Sequence, residues 1–430
     1  MFAKKRKVAV GSIAVAGVLA VTGCSGGTTA APTGSSEGDR GPITIVQGKD
    51  LSGFLDQTLA DWNEEHPDEQ VRLIELPESA DAQRAAMVQN AQTKSDEYDV
   101  LALDNVLISE FAANRWIEEL PEDEFDLDEM LPPVIETATY ADKLFSMPFQ
   151  SDGGMLYYRT DLLEAAGIDG PPTTWDEMAD DCEKILALPE AKGVSCYTGQ
   201  FEKYEGLTVN FTEAVNSAGG HILDADGNPD VDNEGAKAGL QHLVDWFENG
   251  LIPADAITFK EEESRRAFQA GELVFHRQWP YQYALANAED GSSEVAGKFA
   301  VAPLAGLDGP GTSTLGGRNL GISAFSKHKA TALDFIKFYA GYDQNRQFLD
   351  LTGQAPVYAG IYDDPEMIEK YPFLPVLKES ILGAIPRPKV VAYGDTTMAI
   401  QDAAYSAITG KATVDEALAA LQQKLSSIIE

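Results

Sequence analysis

Short apolar runs and helical apolar stripes alternate along the first hundred residues of the folded part of the chain. ITIVQG (43–48) is a β-branched run that predicts a buried first strand. Phe54, Leu55, Leu59 and Trp62 then share one helical face, in a helix starting near Ser52 and stopped by His66-Pro67. VRLIEL (71–76) predicts a second strand, residues 79–94 a second helix, and YDVLALD (98–104) a third strand ending on Asp104. A β-α-β-α-β order implies a parallel sheet, which offers binding groups at the carboxyl ends of its strands.

The pattern then loosens. PEDEFDLDEM (121–130) reads as a solvated acidic loop. MLYY (155–158) predicts a strand, and TDLLEAAG (160–167) a short helix ended by Gly167. Thr174-x-x-Glu177 is a capping box that opens the next helix. Further helices are expected at about 233–249, 262–270, 281–288 and 330–340, and LGISAFSK (320–327) alternates as a strand. Val414, Leu418, Leu421, Leu425 and Ile428 step by three and four, behind a second capping box at Thr413 and Glu416. DADGNPD (224–230) has some look of a calcium loop, but Pro229 stands where that loop needs glycine and its twelfth position lacks glutamate. A turn or hairpin is expected there.

At 430 residues the chain is too long for one small core, so two domains are expected. A net charge of −37 argues against nucleic acid as a partner. The amino terminus is the sharpest signal. Lys4, Lys5, Arg6 and Lys7 precede an apolar run from Val8 to Val21, which is short for a membrane span and suits an export signal. It ends in VTGC (21–24), which resembles a bacterial lipobox, and that resemblance implies cleavage before Cys24 and a diacylglyceryl anchor on its thiol. An ordinary signal peptide with an incidental cysteine is the alternative. The Gly/Ser/Thr-rich residues 24–41 read as a flexible tether. Export and anchoring place the chain on the outer face of the cytoplasmic membrane. Cys182 and Cys196 are then the remaining pair, and an oxidising compartment favours their disulfide. No HExxH or CxxC occurs and the five histidines are scattered, so neither a metal nor another cofactor is expected. No Walker A loop occurs either.

Five stretches, taken in order, carry a resemblance: YDVLALDNVLISEFAANRWIEEL, MPFQSDGGMLYYRTDLLEAAGI, FHRQWPYQYALA, GGRNLGIS and IPRP. Together they resemble the extracellular solute-binding proteins of ABC sugar importers, in the branch that binds trehalose, maltose and related disaccharides. The resemblance covers nearly all of residues 42–430. It implies a two-lobed α/β fold of the type II periplasmic-binding-protein kind, with discontinuous lobes, a hinge and a ligand cleft between them. Carried over, lobe one takes 42–151 and 304–355, and lobe two takes 152–303 and 356–430. It further implies a monomer that binds a disaccharide or small oligosaccharide and docks on a membrane permease, with no catalysis of its own.

The same resemblance assigns roles to residues. A pyranose has an apolar face, which an aromatic ring covers, and a rim of hydroxyls, which carboxylates and guanidinium groups can meet. Trp279 and Tyr281, in QWPYQY, match stacking aromatics, while Tyr283 reads as core. Asp104 and Asp152 match aspartates that accept hydroxyl hydrogens; a helix N-cap and an Asx turn are their structural alternatives. Arg387, in IPRP, matches a ligand-gripping arginine, with an interdomain salt bridge as its alternative. Gly317 and Arg318 fall where relatives present a glycine and often an aromatic, so Arg318 departs from the pattern and bears on the identity of the sugar. Lys49 and Asp50 follow the first strand and are expected to face the cleft. A different carbohydrate (oligosaccharide, polyol or amino sugar) in the same fold is one alternative. A secreted glycoside hydrolase using Asp104 and Asp152 as acid and base is another.

Overall fold

The fold is known from a computed structural model that describes residues 39–49 and 53–429. The export signal, Cys24, most of the tether, and Asp50 lie outside the described residues. Among the described residues, no helix is long and apolar enough to cross a membrane.

The strands are β1 (Ile43–Gly48), β2 (Val71–Leu76), β3 (Val100–Asp104), a small β4–β5 hairpin (Thr139–Tyr140 and Lys143–Leu144), β6 (Met147–Gly153), β7 (Met155–Arg159), β8 (Ser195–Thr198), β9 (Leu273–Gln278), β10 (Phe299–Ala302) and β11 (Leu315–Ile322). One sheet has the order β2-β1-β3-β11-β6. Its first three strands are parallel, and β11 runs antiparallel to both β3 and β6. The second sheet has the order β10-β7-β9-β8. The chain leaves the first sheet at Gly153, enters the second at Met155, and returns between Ala302 and Leu315.

The helices form where the apolar stripes predict them. Phe54, Leu55, Leu59 and Trp62 are buried on the helix Phe54–Glu65. Thr174 and Thr413 each cap a helix with reciprocal side-chain bonds to Glu177 and Glu416. The helix Val414–Ile428 buries Leu418, Leu421 and Leu425. The expected strand at 320–327 is instead β11, which starts at Leu315 and stops at Ile322. Gly316 and Gly317 carry no hydrophobic signal, so alternation alone misses the start of this strand.

The helix Leu374–Leu382 packs over the junction of the sheets, where Leu374 and Leu377 share a core with Phe149 and Met155. The helix Tyr393–Ile408 packs with Glu205–Ser217: Ile400 and Ala404 share a second core with Leu207 and Phe211. Cys182 and Cys196 are joined by a disulfide with Cα atoms 5.5 Å apart, linking the helix Trp175–Leu186 to β8. At 224–230 the Asp224 carboxylate accepts from the backbone N–H groups of Asp226 and Asn228, and Leu223 bridges to Pro229. That is an Asx-type turn within a tight hairpin.

Candidate ligand-binding site

Asp104 ends β3 in register with Arg318 on β11, and Asp152 on β6 is in register with Gly316. The β11–β6 pairing shifts between Arg318 and Asn319. Such an irregularity re-aims the neighbouring side chain. The Arg318 guanidinium reaches the Gln83 side-chain oxygen at 2.8 Å. Gln83 is held by the Pro77 and Glu78 carbonyls and lies against Gly48, where a Cβ would fall 2.6 Å from its nitrogen. Gly317 has φ +117°, and a Cβ there would fall 2.2 Å from the Gln150 carbonyl oxygen. Only glycine meets both conditions.

Asp152 is buried. The Gln150 amide donates to its Oδ2 at 2.7 Å, while its Oδ1 is buried and meets no hydrogen-bond partner among the described residues. Burial pushes this carboxyl up to about 6, against the opposing pull of Gln150, Arg318 and Arg277.

Trp279 follows the last residue of β9 and is half-buried. Its backbone is pinned from two sides: its N–H donates to Gln278 Oε1 at 3.0 Å, and its carbonyl accepts from the Tyr157 hydroxyl at 3.0 Å. The Arg277 guanidinium lies over the indole, 3.8 Å from a ring centroid. Bare backbone at Gly316 meets the ring's benzo edge, where a Cβ would fall 3.0 Å from Cζ3 and Cη2. Tyr281 is anchored elsewhere, its hydroxyl donating to Glu262 at 3.1 Å. Tyr283 packs between Phe299 and Phe373, at ring distances of 5.3 and 4.5 Å.

Arg387 is buried among acids. Its Nη2 donates to Asp104 Oδ1 at 2.8 Å and to Asn105 Oδ1 at 3.3 Å, and its Nη1 donates to Glu205 Oε1 at 2.5 Å. Asn105 in turn donates to the Leu315 and Gly316 carbonyls. Glu205 opens the helix Glu205–Ser217 and also accepts from Tyr393 and Thr397. Its own N–H donates to Asp81 at 3.1 Å. Burial pushes the Glu205 carboxyl up, opposed by Arg387 and reinforced by Asp104. Burial likewise raises Asp81.

The sequence model for bacterial extracellular solute-binding proteins matches residues 47–346. The chain belongs to this family. A probable ABC transporter-binding protein of Deinococcus radiodurans is 34% identical over 83% of this chain and 86% of its own length. A mannitol-binding protein of Pseudomonas aeruginosa is 25% identical over 84% of this chain and 87% of its own. The solved structure of maltose-bound T. maritima MalE3 superposes with a TM-score of 0.85 at 34% identity, covering 90% of this chain and all of that one. The two sheets and their crossings are thus the two-lobed, type II fold of periplasmic binding proteins.

Within this solute-binding fold, contacts link Asp104, Asp152, Trp279, Gly317, Arg318 and Arg387 through β11 and its neighbours. For Arg387 the salt bridge is formed, and both terminal nitrogens are committed to protein groups; its Nε lacks a hydrogen-bond partner among the described residues. Asp104 also accepts from the Val106 N–H at 3.4 Å as the cap of a short 3-10 turn. Lys49 is exposed beside Gly48. Sequence reasoning missed Asn105, Glu205, Gln150, Gln83, Arg277 and Gly316. Gly316 adjoins Gly317 in a quoted motif, and Arg277 adjoins the aromatic stretch. Asn105 follows Asp104 and Gln150 lies two residues before Asp152, so both also stand inside quoted motifs. Nothing local marks Gln83 or Glu205, which meet Arg318 and Arg387 across 235 and 182 residues.

Proposed function

We propose that this chain is the substrate-binding lipoprotein of an ABC importer, capturing a disaccharide of the trehalose or maltose type outside the membrane and delivering it to the permease. The observation that carries the reading is that the half-buried Trp279 ring and the Asp152 side chain meet at the same glycine, Gly316, while the buried Oδ1 of Asp152 has no hydrogen-bond partner among the described residues. An indole suits the apolar face of a pyranose, and a free carboxylate oxygen suits a hydroxyl at its rim. Similarity to a maltose-bound protein across most of the chain supports an α-glucoside. Lobe one comprises 42–151 with 304–355, and lobe two 152–303 with 356–430, closing over the ligand about the crossings. Lipid on Cys24 holds the monomeric protein at the outer face. The protein captures its ligand without turning it over: the Asp104 carboxylate is engaged by Arg387 rather than standing free as one of the two carboxyls a hydrolase needs.

A polyol is the second reading, favoured by the mannitol-binding relative and by Arg318, a donor where a second stacking ring is otherwise expected. Calorimetric titration with trehalose, maltose, sucrose, maltodextrins and mannitol tests both. Micromolar or tighter binding of a disaccharide, with no released glucose, is the expected result. Binding of mannitol alone would move the assignment to polyols, and glucose release would replace capture with hydrolysis.

A further inference from the structure

Both passages of the chain between the sheets bear on one buried ion pair. In the outward passage, a Cβ on Gly154 would fall 2.7 Å from Arg277 Nη2 and 2.9 Å from Glu213 Oε1. In the return passage, the Thr314 N–H donates to Glu213 Oε1 at 3.1 Å, and the Ser313 hydroxyl lies 3.5 Å from the same oxygen. Ser313 Oγ also accepts from the Gly154 N–H at 2.6 Å, so the two passages are joined to each other.

The pair itself is a fork. Arg277 Nε and Nη2 donate to the two oxygens of Glu213 at 2.7 and 2.6 Å, and Nη1 donates to Gln200 at 3.2 Å. Two parallel bonds fix orientation as well as distance. The same guanidinium lies over the Trp279 ring.

We propose that Glu213 and Arg277 are positioning residues that set the Trp279 ring and carry the angle of the two passages to it. The ligand consequence rests on reading Trp279 as the ligand platform; the mechanical coupling does not. A hinge turn that shifts Gly154 or Thr314 moves the Glu213 carboxylate, and the fork passes that displacement to the guanidinium and the indole. A cavity of about 40 Å³, bordered by Asn210, Leu304 and Ala305 as well as by the pair, leaves room for the shift. Lobe angle and the attitude of the ring are therefore one variable.

Fluorescence of the ligand-free protein tests the coupling. Subtracting the spectrum of Trp279→Phe isolates the Trp279 emission from that of the other tryptophans. Ser313→Ala cuts the link between the passages and is expected to shift that emission. In an Arg277→Met background it is expected to shift nothing. No shift from Ser313→Ala, or a shift that survives Arg277→Met, overturns the proposal. If Arg277→Met does not fold, Gly154→Ala decides: it pushes directly on the intact pair, and an unmoved Trp279 emission sinks the coupling. Calorimetry with maltose, trehalose and mannitol reads the ligand consequence. Gly154→Ala is expected to change the affinity for whichever binds by tenfold or more, and to change it little in a Trp279→Phe background. If neither these three nor sucrose nor maltodextrins bind the unmodified protein, the platform reading has failed, and the fluorescence result still decides the coupling.

Discussion

Arg387 and Asp104 meet at 2.8 Å although 283 residues separate them in the chain. Through its other terminal nitrogen the same guanidinium holds Glu205, so one buried cation joins the end of β3 to the start of the helix Glu205–Ser217. Arg387→Met removes the cation and leaves two carboxylates facing each other. Urea unfolding at pH 7 is expected to show a loss of about 3–5 kcal/mol, the scale for breaking a buried pair. An unchanged midpoint would mean that water compensates the acids.

Asp152 gives the protein a pH signature. Its folded value near 6 lies above the ordinary carboxylate value of 3.8. Between those values the folded chain keeps a proton that the unfolded chain has released. Stability therefore falls as pH rises through this window, by about 3 kcal/mol in total. Asp152→Asn is expected to abolish that slope, raising the melting midpoint of the ligand-free protein at pH 7.5 and leaving it unchanged at pH 3. Ligand binding should move the opposite way. A hydroxyl donating to Oδ1 bonds the charged carboxylate more strongly than the protonated acid or an amide oxygen, so affinity should drop below about pH 6 and weaken in the asparagine variant.

Trp279→Ala is expected to weaken sugar binding by at least ~2 kcal/mol while the fold persists, the scale of a buried hot-spot aromatic. Calorimetry on the folded variant checks this. Full affinity without the indole would return Trp279 to a packing role.

Gly317→Ala meets both a left-handed backbone and a carbonyl oxygen, and is expected to cost about 1–3 kcal/mol or more in thermal unfolding. Gly170 has open space and an ordinary φ, so Gly170→Ala serves as a neutral control. Equal melting points for the two variants would show that β11 relaxes at Gly317.

Cys24→Ala is expected to move the protein from the membrane fraction to the medium, with solution affinity unchanged. Retention in the membrane fraction would rule out the lipid as the anchor.

Much of the fold was legible because its signals are local. A capping box needs residues three apart, and Thr174 and Thr413 supply two. A helical stripe needs one face, and Leu418, Leu421 and Leu425 mark it. The site was legible only where a motif carried it, as at Trp279. Glu205 meets Arg387 across 182 residues, Asn105 meets it across 282, and Glu213 meets Arg277 across 64. No periodicity records such pairings. The resemblance gave Arg387 a ligand to grip; only the folded chain shows how fully its terminal nitrogens are engaged by Asp104, Asn105 and Glu205.

The strand order of the first sheet bears on how the protein can be assembled. β11, from Leu315 to Ile322, lies between β3 and β6, which are both complete by Gly153. Until β11 arrives, each of those strands offers an unpaired edge, and such edges are templates for wrong partners. A chain emerging from its N-terminus must build or bypass the second sheet before it can close the first. Truncation anywhere before Leu315 leaves the first sheet in two pieces, so neither lobe can be released by a single cut. The sheet whose strands are made first is among the last parts of the protein to be finished.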